Sequence, residues 1–355
     1  MGNVEERTPL SAEHARLEDS SPDTPGNWKA IGPYVSERAW GTVREDYSAD
    51  GQAWQYFPYE HARSRAYRWN EDGLAGLSDR NQRLCFALAF WNGRDPFLKE
   101  RIFGLTGPEG NHGEDAKEYW WYSDATPTAS WLRWRYHYPQ AEFPYAMLRQ
   151  ENAKRNKEEP EFELVDTGVF EEDRYWQITA DYAKSAPDDV CVRIEVRNAG
   201  PDSADLHVLP TLWFRNRWSW EAGIKRPMIQ AAADDGSVVA EEELLGKWRL
   251  VAGPDPTGKP PSLLFCENET NARYLYGDPA DQTPYPKDGI NDHVVHGAAT
   301  VNPAGHGTKM ACWYRLMVAA GETVELRLRF TRDVPGKAPD LGAGFAVPAY
   351  GPEIS

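Results

Sequence analysis

Apolar and charged positions alternate over Val190 to Arg197, where Val190, Val192, Ile194 and Val196 share one face and Cys191, Arg193, Glu195 and Arg197 the other. Later in the chain Val324, Leu326, Leu328 and Phe330 alternate with Glu325, Arg327 and Arg329 in the same way. A period of two puts successive side chains on opposite faces of a strand, so both stretches predict antiparallel strands with the apolar face inward. The first runs into Asn198-Ala199-Gly200-Pro201-Asp202, a cluster of turn formers, and then into the apolar run Leu206 to Phe214, the pattern of a hairpin or a sandwich edge. Further turn clusters at Asp234-Asp235-Gly236, Gly253-Pro254-Asp255-Pro256 and Asn302-Pro303-Ala304-Gly305 bound short runs such as Leu263 to Cys266 and Met310 to Val318. Short strands divided by turns predict a mainly β chain, an antiparallel β-sandwich with a few short helices.

Two helices are predicted. Pro96 behind Asp95 suits a first helical position after an acidic cap and opens a short helix through Phe97, Leu98 and Ile102 to Gly104. Another starts at Pro144, continues through Ala146, Met147 and Leu148, and turns highly charged from Arg149 to Glu159 before Pro160 stops it. Residues 1–27 are polar with no sustained apolar period, which predicts a mobile or loosely docked arm, with the folded part beginning near Trp28.

Composition narrows the classes. At 355 residues the chain is long enough to bury a large core, and 29 glycines with 27 prolines agree with a turn-rich architecture. A formal net charge of −16 argues against nucleic acid and against an anionic membrane surface as partners. The sequence shows no secretory signal pattern and no apolar run near the roughly 20 residues a membrane helix needs, so a cytoplasmic location is expected. Cys85, Cys191, Cys266 and Cys312 are scattered, with no CxxC pair and no histidine at zinc-ligand spacing, and are read as small buried hydrophobes. No metal and no cofactor is assigned.

The densest candidate chemistry is Trp40-Gly41-Thr42-Val43-Arg44-Glu45-Asp46-Tyr47, followed by Trp54, Tyr56, Phe57, Tyr59, His61, Arg63, Arg65, Tyr67, Arg68, Trp69, Glu71 and Asp72. Flat rings can cover the C–H face of a pyranose while guanidinium and carboxylate groups orient its hydroxyls. The same residue types make interface hot spots, and they also make an aromatic core with satisfied ion pairs; all three readings stay open. A second cluster, Thr106 to Asp115, is a glycine-dense loop leading into the aromatic strand Tyr119-Trp120-Trp121-Tyr122, and its His112 is either structural or an acid/base or ligand group. Glycosidic hydrolysis needs two facing carboxyl groups, and among 55 acidic residues the sequence selects no pair. There is no GxSxG elbow, phosphate-binding GxxxxGK[ST] loop or helix-opening GxGxxG fingerprint.

Several of these segments together resemble a known family. The run Trp40 to Ser48, the segment His61 to Trp69 with Glu71-Asp72-Gly73-Leu74, the segment Leu105 to Asp115, and Leu209-Pro210-Thr211-Leu212-Trp213-Phe214-Arg215-Asn216 are similar to the amino-terminal part of long bacterial-type family 63 glycoside hydrolases, glucosidases related to mannosyl-oligosaccharide glucosidase. The resemblance covers Trp28 to about Phe345. It implies an amino-terminal β-super-sandwich packed on a carboxy-terminal (α/α)6 barrel, with inverting hydrolysis of α-linked glucose and both catalytic carboxyls on the barrel. This chain stops at Ser355, where the linker to that barrel would start, and its last stretch, Gly344 to Pro352, is unlike a charged helical linker. The resemblance therefore implies a sandwich domain over 28–335 and a truncated linker over 336–355. It carries over no catalytic residue, so the chain alone is expected to be inactive.

Trp40, Arg44, Tyr47, Arg65, Arg68, Trp69 and His112 are the residues expected to face the sugar cleft or the barrel. The partners implied are a glucose-containing saccharide in the intact enzyme and the missing (α/α)6 domain. Two other functions remain: a stand-alone carbohydrate-binding module using exposed aromatics, and a docking domain for a barrel on a separate chain.

Overall fold

A computed structural model describes residues 11–20, 27–36, 59–70, 72–102, 118–233 and 236–333. Its described strands are β1 (Ile31–Tyr34), β2 (Leu74–Asp79), β3 (Leu84–Trp91), β4 (Trp120–Ala125), β5 (Trp131–Pro139), β6 (Tyr175–Ala186), β7 (Asp189–Asn198) and β8 (Ala204–Phe214), followed by β9 (Met228–Ala231), β10 (Val238–Glu242), β11 (Gly246–Ala252), β12 (Ser262–Cys266), β13 (His306–Gly307), β14 (Lys309–Val318) and β15 (Thr323–Arg332). They form two antiparallel sheets. One has six strands in the order β1-β2-β3-β8-β14-β12, and the other has nine in the order β13-β9-β10-β11-β15-β7-β6-β5-β4. The expected mainly β sandwich is therefore the architecture found.

The core is the layer where the two sheets face each other. Phe86, Leu88, Leu212 and Tyr314 of the first sheet meet Trp134, Ile178, Val192, Leu326 and Phe330 of the second. Phe86 bridges the sheets directly, stacked on Phe330 at 6.3 Å and edge-on to Tyr182 at 6.2 Å. Both strands predicted by alternation occur. Val190, Val192, Ile194 and Val196 of β7 are buried, and β7 pairs along its length with β15, Ile194 opposite Leu326. The runs Leu206 to Phe214, Leu263 to Cys266 and Met310 to Val318 are β8, β12 and β14. All four cysteines are buried and free, as expected of small apolar fillers.

Two local expectations are corrected. The turn cluster Asn198 to Asp202 does not make a hairpin: β7 belongs to the nine-stranded sheet and β8 to the six-stranded one, so the chain crosses the sandwich there. No helix forms at Pro96. Residues 93–97 are bends, and Lys99 forms a bridge to Phe90. Asp95, expected to cap a helix, instead accepts hydrogen bonds from Tyr138 Oη and from the Phe143 backbone N–H at 2.6 Å, and burial pushes its carboxyl above the usual range. Tertiary partners thus outbid the local cap.

The helix expected from Pro144 is found as Tyr145–Asn152, and the charged residues beyond it form turns. Within the amino-terminal segment, Ala12–Glu18 is a helix whose Glu13 accepts from Thr128 N and Oγ1, both at 2.7 Å, and from Ser130 Oγ at 2.9 Å. Residues 336–355 lie outside the described residues. No described helix is long and apolar enough to cross a membrane.

The sheets differ in what covers their outer faces. On the six-stranded sheet, Ala89, Leu209, Leu264 and Ala311 point away from the sandwich core yet are buried, because the helix Gly289–His296 lays Ile290 and Val294 over them. The rest of that face is roofed by residues 59–70, 72 and 73 and by loops from 216 and 267. This roof carries the candidate site.

Candidate functional site

Asp72 and Gly73 lead into β2, Glu100 and Arg101 follow the Lys99 bridge, Lys309 opens β14, and Lys287 precedes the helix Gly289–His296. These elements bring five charged side chains to one place on the outer face of the six-stranded sheet, each with its side chain about a tenth exposed or less. Arg101 donates to Asp72 Oδ1 from Nε at 2.9 Å and from Nη2 at 2.5 Å, and its Nη2 also reaches Glu100 Oε1 at 3.0 Å. Lys287 Nζ meets Asp72 Oδ2 at 2.5 Å, and Lys309 Nζ meets Glu100 Oε2 at 3.3 Å. Burial alone would raise the Asp72 pKa, but the charges of Arg101, Lys287 and Lys309 outweigh it and hold that carboxyl well below the usual range. Buried ions are tolerated because they are paired and hydrogen-bonded on several sides.

This hub fastens the segment that carries the predicted residues. Lys287 Nζ donates to the carbonyls of Ala62 at 3.2 Å and Arg65 at 2.8 Å, and Ala66 N–H donates to Thr270 Oγ1 at 3.0 Å. Trp213 Nε1 donates to Asn70 Oδ1 at 2.9 Å. Gly73, at φ +109°, passes so close to the sheet that a Cβ there would stand 2.6 Å from Ala87 Cβ and 3.0 Å from Trp213 Cη2.

Arg65, Arg68 and Trp69 are half-buried at the edge of this roof. The Arg65 guanidinium lies 4.8 Å from the Tyr67 ring centre, and the Trp69 ring is flanked by Arg68 at 4.8 Å and Arg215 at 5.8 Å. The other predicted residues, Trp40, Arg44, Tyr47 and His112, lie outside the described residues.

Sequence reading missed a second ring of polar groups. Arg226 Nη2 is paired with Glu267 Oε2 at 2.8 Å and with Glu269 Oε1 at 3.0 Å. Thr308 Oγ1 donates to Glu267 at 2.8 Å, and Trp218 Nε1 donates to Glu269 at 2.6 Å. The available clue was a charge adjoining an apolar strand: Glu267 directly after Leu263 to Cys266, and Lys309 directly before Met310.

The arrangement suits holding and display better than bond cleavage. Glu267 and Glu269 both engage one arginine rather than facing open space. Burial raises the Asp288 carboxyl, but it is 4% exposed and both its oxygens accept from Asn271 Nδ2, at 3.2 and 3.0 Å. The void at the hub, lined by Asp72, Glu100, Thr211, Asn268 and Lys309 among others, is about 10 Å³, room for one water and far too little for a sugar ring. Among the described residues no group of three or more His, Cys, Asp or Glu is placed to hold a metal ion.

No protein-family model matches the chain. The uncharacterized protein YMR196W of Saccharomyces cerevisiae is 38% identical over 337 residues, which is 86% of this chain and 31% of the yeast protein. The chain thus spans about a third of the length of the curated relative it matches. Among solved structures, a polysaccharide lyase is 10% identical with a TM-score of 0.29, over 70% of this chain and 25% of its own. A galactose mutarotase related enzyme from Lactobacillus acidophilus is 6% identical with a TM-score of 0.27, over 62% and 72%. At such scores neither structure carries an argument here, and none of these three proteins is named as a family 63 hydrolase.

Proposed function

We propose that this chain is the carbohydrate-related sandwich part of a family 63-like glucosidase, supporting a separate catalytic part and closing one side of its sugar cleft. One observation carries the reading. Two of the segments that resemble that family, His61 to Trp69 and Leu209 to Asn216, are far apart in sequence yet meet in space through Arg215 with Trp69, and Trp213 is hydrogen-bonded to Asn70, directly after the first of them. Their meeting point is the roof that the buried ion hub fastens, and it displays rings and guanidinium groups of the kind that serve sugars and interfaces alike. The length of the yeast relative beyond the matched region is consistent with a further part in proteins of this kind.

In this reading Arg65, Arg68 and Trp69 contact the cleft or the catalytic part, and the chain alone does not cleave glycosides. The test is to incubate the purified chain with α-linked glucose disaccharides and measure glucose release. No release above background is expected. Turnover that a local carboxylate substitution abolishes would overturn the supporting role. Titration with gluco-oligosaccharides, followed by tryptophan fluorescence, separates the alternative of a stand-alone binding module, which requires saturable binding by the isolated chain.

A further inference from the structure

We propose that a cavity at the open edge of the sandwich is a binding site for a small aromatic group, taken either as a free molecule or as the aryl part of a glycoside. The site lies away from the ion hub, between β1 and β2 of one sheet and β4 and β5 of the other, where both sheets end in an edge strand among the described residues. Its volume is about 240 Å³, and Val35, Ala75, Tyr122, Leu132, Trp134 and Tyr182 supply most of its apolar lining.

A local irregularity of the backbone leaves the space open. The pairing of β2 with β3 shifts register between Leu74 and Leu77, and Ala75 sits in the bulge at φ +51°, a conformation that non-glycine residues adopt at a cost. Next to it Gly76 must lack a side chain, since a Cβ would stand 2.6 Å from the Tyr34 carbonyl oxygen. The bulge therefore presents the Ala75 methyl group to the space between the sheets, where a longer side chain would have filled it.

The walls select the occupant. Trp134 and Tyr182 form a buried floor, while Tyr122, 44% exposed, stands at the mouth. The Tyr182 hydroxyl is already committed to the Ala75 carbonyl at 2.5 Å, and Arg133 gives Nε and Nη2 to Asp181 at 2.7 and 3.1 Å. Apart from the exposed Asp124, which also lines the cavity, what faces a guest is mainly ring faces, ring edges and methyl groups, which favour a flat apolar body in edge-to-face contact. An apolar cavity of roughly 150 Å³ suffices to hold benzene, so this one has room for a substituted ring.

The experiment uses the full chain with toluene as the free ring, phenyl α-glucoside as the attached one and glucose as the control. Binding is read by saturation-transfer NMR and by the rise in Tm that a ligand of the folded state produces. Saturable binding of toluene or phenyl α-glucoside is expected, the tighter of the two identifying the source, with glucose giving none. Ala125→Phe and Leu132→Trp, which place a ring at the cavity, should weaken binding roughly tenfold or more. Met317→Phe, at an exposed position on the other sheet, should leave it unchanged. Ala125 is exposed, so its variant decides the matter if Leu132→Trp does not fold. Absence of binding by both aryl compounds, equal binding of glucose, or unchanged binding in Ala125→Phe would overturn the proposal.

Discussion

The outer faces of the two sheets obey different rules. On the nine-stranded sheet the outward side chains of the central strands form rows of ion pairs. Arg133 and Arg193 both donate to Asp181, Arg329 is paired with Asp189, and Arg327 with Glu325. Most of these arginines keep a substantial part of their surface in water. On the six-stranded sheet the same geometric positions are covered, and the charges among them are shut in with their partners. An ion pair that water can replace contributes little, whereas one sealed under a roof leaves an uncompensated charge when broken. Asp181, whose side chain is fully buried, is the exception on the open face; a pair such as Arg327–Glu325, wet on both sides, is the kind that should contribute least, and the roofed pairs the kind that should cost most to break.

The sharpest way to break this contrast is to remove one buried cation. Lys287→Ala should cost about 3–5 kcal/mol in urea unfolding, since it strands Asp72 and releases two backbone carbonyls of the roof. A loss close to that of an exposed pair would place the roof in the same class as the open face. Gly73→Ala should cost about 1–3 kcal/mol, because the added methyl collides with Ala87 and Trp213.

The roofed face should also show itself in acid. His207, packed between Trp91 and Trp313, accepts a hydrogen bond from Trp313 Nε1 at 3.1 Å. Burial first, then the charge of Arg315, lowers its pKa from 6.5 to about 4. Between those values the unfolded chain binds a proton that the folded one refuses, so stability falls as pH drops through this window. His207→Gln should flatten that fall, measured as unfolding free energy against pH. The smallest effect is expected on the open face, where Arg327→Ala should change stability by no more than about 1 kcal/mol.

The same contrast explains what could be read from sequence. Strands of the nine-stranded sheet with one wet face show their alternation openly, as β7 and β15 do. β3 has no such pattern, since Leu84 to Phe90 are all buried, Leu84, Phe86, Leu88 and Phe90 against the opposite sheet and Cys85, Ala87 and Ala89 under the roof. Such a doubly covered strand reads as a plain apolar run. The failed helix at Pro96 has a different cause. A cap is a local device, and nothing near Asp95 in sequence reveals that Tyr138 and Phe143 will claim its carboxylate. The hub was partly visible, since Asp72 stood among the candidate residues, but Glu100, Arg101, Lys287 and Lys309 become one group only when three distant loops and a strand close on each other.

The order of strands has a consequence for how this protein comes into being. The middle of the six-stranded sheet places β3, β8 and β14 side by side, and β15 separates β7 from β11 in the other sheet. As the chain leaves the ribosome, the six-stranded sheet cannot close until β14 has emerged, nor the nine-stranded sheet until β15 has. Early hairpins such as β6 with β7 must wait with one edge unpaired. A nascent chain of this topology depends on β14 and β15 more than on its first strands, and the interval before those two strands arrive is when its exposed edges most need shielding.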